Sequence, residues 1–114
     1  MSISTKTIAP GFAVAAQLSA NQMADAAALG FKTVVNNRPD GEGGAEQPLS
    51  QAFAVAAEAS GLHYVYLPVV GGAITPEQAL ALREVLQAAP EPVLAFCRSG
   101  TRSAQLYALA QAGS

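Results

Sequence analysis

Residues 92–103, PVLAFCRSGTRS, set the strongest limit on how this chain folds. Val93, Leu94, Ala95 and Phe96 read as a buried strand. A glycine-bearing turn follows at Cys97, and Thr101 opens a helical pattern that runs to Ala112. A strand that passes directly into a helix must lie inside a sheet, with the helix returning across one sheet face. The rest of the chain has to supply neighbouring strands and a second layer of helices.

The remaining pattern does so. Residues 6–8 and 12–15 read as two short strands joined across Pro10 and Gly11. Ser19, with Gln22 three residues on, makes a capping box that opens a helix carrying Met23, Ala26 and Ala27 inward. Gly30 stops that helix, and residues 32–36 form a buried strand around Val34 and Val35. NNRPDGEGGAEQP is dense in turn formers and reads as a long loop, a length that in compact domains is often functional. A helix is expected over residues 49–60, with Phe53, Ala56 and Ala57 inward. Residues 62–69 are β-rich and apolar, which suits a central strand. Thr75, Pro76 and Gln78 form a helix start, and Leu82, Val85, Leu86 and Ala89 share one face up to Pro90. Strands separated by helices imply parallel pairing through right-handed crossovers. The expected fold is a three-layer α/β domain: a mainly parallel central sheet with flanking helices, residues 1–114 forming a single domain.

Ligands of such sheets bind beyond the carboxyl ends of the strands. The loops after Asn36 and after Phe96 both leave that edge, which brings Arg38 and Asp40 near Cys97. A cysteine at a strand end, followed at once by a helix, meets that helix's positive end. The backbone N–H groups from Arg98 through Ser99, Gly100, Thr101 and Ser103 can turn inward around a small anion, with Gly100 allowing the curl. The same field, with the charge of Arg102, lowers the thiol below the ordinary cysteine value of about 8.5. Cys97 is thereby a candidate nucleophile and Arg102 a candidate anion clamp. Arg38 would attract anions, and the Ser99 and Ser103 hydroxyls would donate to thiolate or anion. His63 reads as a solvated strand residue, and Tyr64 and Tyr66, on one strand face, as core or pocket wall.

CRSGTRS resembles the active-site loop of rhodanese sulfurtransferases, in which four residues separate cysteine and arginine, as they separate Cys97 and Arg102. It also resembles the phosphate loop of protein tyrosine and dual-specificity phosphatases, in which five intervene. Ser103 holds that fifth-spaced position here, and Phe96 stands where those phosphatases usually carry a histidine. TVVNNRPDGEG, GLHYVYLPVVGGAIT and PVLAFCRSGTRS together resemble the phosphatase-like domain of beta-lactamase hydrolase-like proteins, from about residue 8 to residue 112. That resemblance implies a protein tyrosine phosphatase-like fold and a family carrying both phosphatase and sulfurtransferase labels. Rhodanese landmarks outside the loop, notably a His-Ile-Pro-Gly-Ala segment, are missing.

Two reactions and one non-catalytic role follow. A phosphatase would form a cysteinyl-phosphate on Cys97, with Arg102 and loop amides holding the oxygens. The acid that such phosphatases carry after the strand at 62–69 is absent from VVGGA, which leaves Asp40 as the candidate proton donor. A sulfurtransferase would instead carry a persulfide on Cys97, needing no acid. An anion-sensing module would only bind. The extent of the family resemblance favours the phosphatase, acting on a small phosphomonoester.

Composition closes off other classes. The formal charge is −2 with no basic stripe, which excludes a duplex nucleic-acid binder. No apolar run approaches the ~20 residues of a membrane span, and the first residues do not form a secretory signal. A single cysteine fits a reducing cytoplasm, and with a single histidine leaves no metal-ligand set, so neither metal nor cofactor is expected. Leu106 and Leu109 are expected to be partly uncovered. That predicts a covering partner: a second copy or, as the family implies, a metallo-beta-lactamase-like domain.

Overall fold

The computed structural model describes residues 3–112. Its elements are β1 (Lys6–Ala9), β2 (Phe12–Ala15), a 3-10 turn (Ala20–Gln22) leading into α1 (Met23–Ala28), β3 (Thr33–Asn36), a second 3-10 turn (Gly44–Glu46), α2 (Ser50–Ala59), β4 (His63–Tyr66), α3 (Pro76–Ala88), β5 (Val93–Phe96) and α4 (Thr101–Ala112). The sheet order is β1-β2-β5-β3-β4. Only the β1–β2 pairing is antiparallel; β2–β5, β5–β3 and β3–β4 are parallel.

Side-chain alternation along the strands builds a core on each face of the sheet. Ala13 and Ala15, Val34, and Leu94 and Phe96 point to one face, where Met23 and Ala26 of α1 and Phe53 and Ala57 of α2 cover them. Phe12 and Val14, Val35, and Val93 and Ala95 point to the other, under Ala79 and Leu82 of α3 and Leu106 and Ala110 of α4. Ring contacts secure both layers: Phe53 and Phe96 lie 5.1 Å apart at their centroids, and Phe12 stacks on Tyr107 at 4.3 Å. This is the expected three-layer α/β arrangement. Both helix starts read from the sequence are present. Ser19 donates its N–H to Gln22 Oε1 at 2.8 Å, and the Thr75 hydroxyl accepts the Gln78 N–H at 3.2 Å.

Two expectations are corrected. Residues 62–69 were expected to form a central strand, but β4 spans only His63–Tyr66 and sits at the sheet edge. Its residues are exposed or half-buried, His63 among the exposed ones, whereas the interior β5 is buried throughout. An apolar run signals burial but does not say which neighbour the strand has on each side; β4 pairs with β3 on one side and ends the sheet on the other. Leu106 was expected to be partly uncovered and is 0% exposed, because α3 packs closely along α4 and covers it. Leu109, on the outer side of α4, is 48% exposed. No helix among the described residues is long and apolar enough to cross a membrane.

The sheet register sets the height of the site. Ala15 of β2 and Asn36 of β3 both pair with Phe96, so the three strands end on one level. The chain leaves that level at Ala16, Asn37 and Cys97. Leu106→Ala is expected to cost about 2–5 kcal/mol by creating a core cavity, and Leu109→Ala well under about 1 kcal/mol. Urea unfolding of the two variants checks the difference, and equal losses would contradict the packing described here.

Candidate active site

Cys97 begins where β5 ends and is 1% exposed. Its N–H donates to Ala15 O at 3.4 Å, and the Gln17 N–H donates to Arg98 O at 3.2 Å, so the end of β2 flanks the loop. Gly100 adopts φ +90°, a left-handed conformation that side-chain-bearing residues rarely take. A Cβ there would also stand 3.4 Å from the Ala15 backbone. This conformation aims the Gly100 N–H at Cys97 Sγ, 3.0 Å away.

Burial pushes the Cys97 thiol up, but hydrogen bonds outweigh it. The backbone N–H and hydroxyl of Ser103 and the N–H groups of Ser99 and Gly100 hold the thiol below its ordinary value. The sequence expectation assigned part of this lowering to Arg102. The structure assigns it to the loop donors, while the Arg102 guanidinium is engaged elsewhere. Its Nη1 donates to Glu42 Oε2 at 3.0 Å and to Val69 O at 2.9 Å, and its Nη2 donates to Glu42 Oε1 at 3.1 Å. Gly71 lies against the guanidinium: a Cβ there would stand 3.3 Å from Nε.

The long loop after β3 delivers Glu42 to this position. Arg38 donates from Nε to Glu42 Oε1 at 2.9 Å and from Nη1 to Gln17 Oε1 at 3.1 Å. Arg38 and Arg102 therefore share one carboxylate, and Glu42 joins the two loops. Hydrogen bonding from Arg102 is the main cause that holds the Glu42 carboxyl below its ordinary value, with Arg38 adding to it against a smaller effect of burial. Asp40 is exposed. Its Oδ1 accepts the Ser50 N–H at 2.8 Å, at the start of α2, and its own N–H donates to the Tyr66 hydroxyl. Tyr64 exchanges hydrogen bonds with Asn36 and Ser50, so both tyrosines brace the loop.

The structure thus gathers Cys97, Ser99, Gly100 and Ser103 around the sulfur, and Arg102 with Arg38 around Glu42. Arg98, Ser99 and Thr101 are exposed on the rim, with Ser99 Oγ accepting the Thr101 N–H at 3.4 Å. Sequence reasoning missed Glu42 and Asn37. Asn37 is fully buried, donates to Leu67 O at 2.9 Å and accepts the Ser103 hydroxyl at 2.8 Å. A polar pair directly after an apolar strand was the available signal for it; Glu42 pairs with Arg38 four residues earlier, but its link to Arg102, sixty residues away, left no local pattern. No group of three or more His, Cys, Asp or Glu side chains that could hold a metal occurs among the described residues.

Comparison with known proteins agrees with this fold. Residues 4–114 match the family described as "Beta-lactamase hydrolase-like protein, phosphatase-like domain". A beta-lactamase hydrolase-like protein of Xylella fastidiosa is 35% identical over 87% of this chain and 23% of its own length, so the chain spans less than a quarter of that curated relative. A "putative phosphatase" from Neisseria meningitidis superposes with a TM-score of 0.82 at 30% identity, covering 90% of this chain and 72% of its own. The core catalytic domain of a PP-IP phosphatase from S. cerevisiae shares the fold, with a TM-score of 0.70 at 15% identity over 93% of this chain and 64% of its own. The architecture is that of the protein tyrosine phosphatase-like enzymes. None of these descriptions supports the sulfurtransferase alternative.

Because the folded state depresses the Glu42 carboxyl, its ion pairs stabilise the protein above the ordinary value of 4.5, and the benefit is lost as pH falls through the lower folded value. Glu42→Gln should therefore lower stability at neutral pH by up to about 1 kcal/mol, a figure limited by partial solvent screening. The difference from the unsubstituted chain should close in acid. Urea midpoints at pH 7 and in acid test this, and a gap that widened in acid would contradict it.

Proposed function

We propose, for a chain that belongs to the family of phosphatase-like domains of beta-lactamase hydrolase-like proteins, that it hydrolyses small phosphomonoesters through a covalent intermediate on Cys97. The observation that carries this reading is the convergence of the Ser99, Gly100 and Ser103 donors on one buried sulfur. A thiol held toward the thiolate at the start of a twelve-residue helix is a nucleophile in a field suited to an oxyanion.

The thiolate of Cys97 attacks phosphorus, the S–P bond forms as the bond to the leaving oxygen breaks, and that oxygen takes a proton. Water then attacks phosphorus and gives its proton to the Asp40 carboxylate left by the first step, the S–P bond breaks, Cys97 departs as thiolate, and inorganic phosphate is released. Arg102 and the loop amides stabilise the equatorial oxygens in both transition states. The Arg102 donors not bonded to Glu42 or Val69 serve this purpose, since Glu42 takes one donor from each terminal nitrogen and Val69 the second of Nη1. Arg98, Thr101 and Arg38 add positive charge or donors at the rim. Asp40 is the proposed proton donor, and delivering its proton requires it to exchange the Ser50 bond for the substrate. With Cys97 only 1% exposed at the loop base, a small phosphate-bearing substrate fits best.

Release of phosphate from p-nitrophenyl phosphate is the direct assay. Cys97→Ser should reduce turnover to background, and Arg102→Lys should lower kcat/KM by about 10²–10³-fold. Asp40→Asn should slow an alkyl phosphate, whose leaving group needs a proton, far more than p-nitrophenyl phosphate. Phosphate trapped on Cys97 would support the intermediate. Turnover that survives Cys97→Ser, or thiocyanate formation from thiosulfate and cyanide without phosphate release, would overturn the reading.

A further inference from the structure

We propose that Asn37 is a positioning residue for Cys97: its Oδ1 holds the Ser103 hydroxyl while the sulfur is uncharged and yields that hydroxyl when the sulfur becomes a thiolate. The inference rests on the reading of Cys97 as the nucleophile, and it adds a residue outside the loop.

The Asn37 side chain is fully buried, and each polar atom has one partner. Nδ2 donates to Leu67 O at 2.9 Å, and Oδ1 accepts from Ser103 Oγ at 2.8 Å. The backbone N–H of Asn37 donates to Phe96 O at 2.9 Å, next to Cys97 itself. A carbonyl such as Leu67 O can only accept, so the amide cannot be reversed without setting two oxygens against each other. Oδ1 must face Ser103, and it too can only accept. The Ser103 hydroxyl has one proton, which it donates to Asn37 Oδ1 at 2.8 Å, and the same hydroxyl is among the groups that lower the Cys97 thiol.

The charge on sulfur decides between them. A thiol, or a sulfur bonded to phosphorus, is a weak acceptor, and the amide oxygen takes the proton. A thiolate offers a charge-assisted bond that is stronger than a neutral one, and the hydroxyl turns to it. The rotation takes the donor away from the buried Asn37 Oδ1, a cost that the charge-assisted bond to sulfur has to exceed, while Leu67 and Phe96 keep Asn37 anchored in both arrangements. Asn37 thus competes for the hydroxyl. It limits how far Ser103 lowers the thiol, which preserves nucleophilicity, since the nucleophilicity of a thiolate falls with its pKa. When the S–P bond breaks, the same hydroxyl is within reach of the departing thiolate.

The charged groups at this sheet edge are Arg98 and Arg102 from the loop and α4, and Arg38, Asp40 and Glu42 from the loop after β3. Neither β2 nor residues 67–72 contribute a charged side chain. None of these groups is altered by the substitutions below.

The chain has one cysteine, so the ultraviolet absorbance of thiolate, followed against pH in the full chain, reports Cys97 alone. Ser103→Ala should raise its midpoint by about 0.5–1 pH unit, the worth of one hydrogen bond. Asn37→Ala should lower it by about 0.5 unit, because the hydroxyl then has no competing acceptor. In the double variant the Asn37 change should have no further effect. A purely structural Asn37, which only held Ser103 in place, would raise the midpoint as Ser103→Ala does, and that result would overturn the proposal. A second measurement needs no Asn37 variant. The Asn37 side-chain carbonyl carbon shift should titrate in the unsubstituted chain with the midpoint of the thiolate absorbance, and this titration should vanish in Ser103→Ala. A shift that does not follow Cys97 would overturn the proposal whether or not the alanine variant folds. Both readouts stand without turnover, so failure of the phosphatase reading remains distinguishable from failure here.

Discussion

Asn37 brings a whole carboxamide into the interior, where each unpaired polar atom would cost about 1–3 kcal/mol. Its partners come from three separate parts of the chain: Leu67 beyond β4, Ser103 in α4 and Phe96 at the end of β5. Leu67 and Ser103 take the two polar atoms of the carboxamide, and Phe96 O takes the backbone N–H. Hydrophobic contacts in the two cores are non-directional, whereas these bonds fix both distance and direction. The loop after β3, the segment after β4 and the start of α4 are thereby locked to one another around Cys97. The site's geometry depends on this lock more than on any single contact of the sulfur.

Charge is organised differently from what proximity alone suggests. The thiol is lowered by short-range donors of its own loop, and Arg102 is neutralised in part by Glu42. Sharing that carboxylate with Arg38 gives this ion-pair cluster two cations and one anion, a net positive charge in a chain whose formal charge is −2. Gln17, from the segment after β2, holds Arg38 from the other side. Arg102 is held in place by Glu42 and Val69, which would reduce the ordering that binding an oxyanion there has to supply.

Much of this was legible in the sequence, and the exceptions share a cause. The range of α4, the Thr75 start of α3 and the placement of Cys97 at a strand-to-helix turn all follow from local signals: caps, glycine and apolar periodicity. The edge position of β4 did not, because strand order is a matter of neighbours far away in sequence. The burial of Leu106 did not either, since it depends on α3 lying along α4. Glu42 and Asn37 are polar residues in or beside a turn-rich loop, where such residues are commonplace. Their importance comes from partners that only the assembled sheet edge brings close. Asp40 shows the opposite case: a residue whose loop position suggested chemistry, and whose carboxylate in the structure meets the first N–H of α2.

The common level at which β2, β3 and β5 end has a consequence for how chains of this kind can change length. Ala15, Phe96 and Asn36 lie on one line across three strands, so removing a residue from any one would reverse its side chains between the two cores and pull its loop out of the site. Insertions are tolerated only where the line does not pass. The turns at residues 29–32, 60–62 and 89–92 lie at the opposite edge and are the places where extra segments could be added without disturbing the chemistry. New binding elements would have to be grafted at these turns, away from the site, or inside the loop after β3, where they would lie beside it.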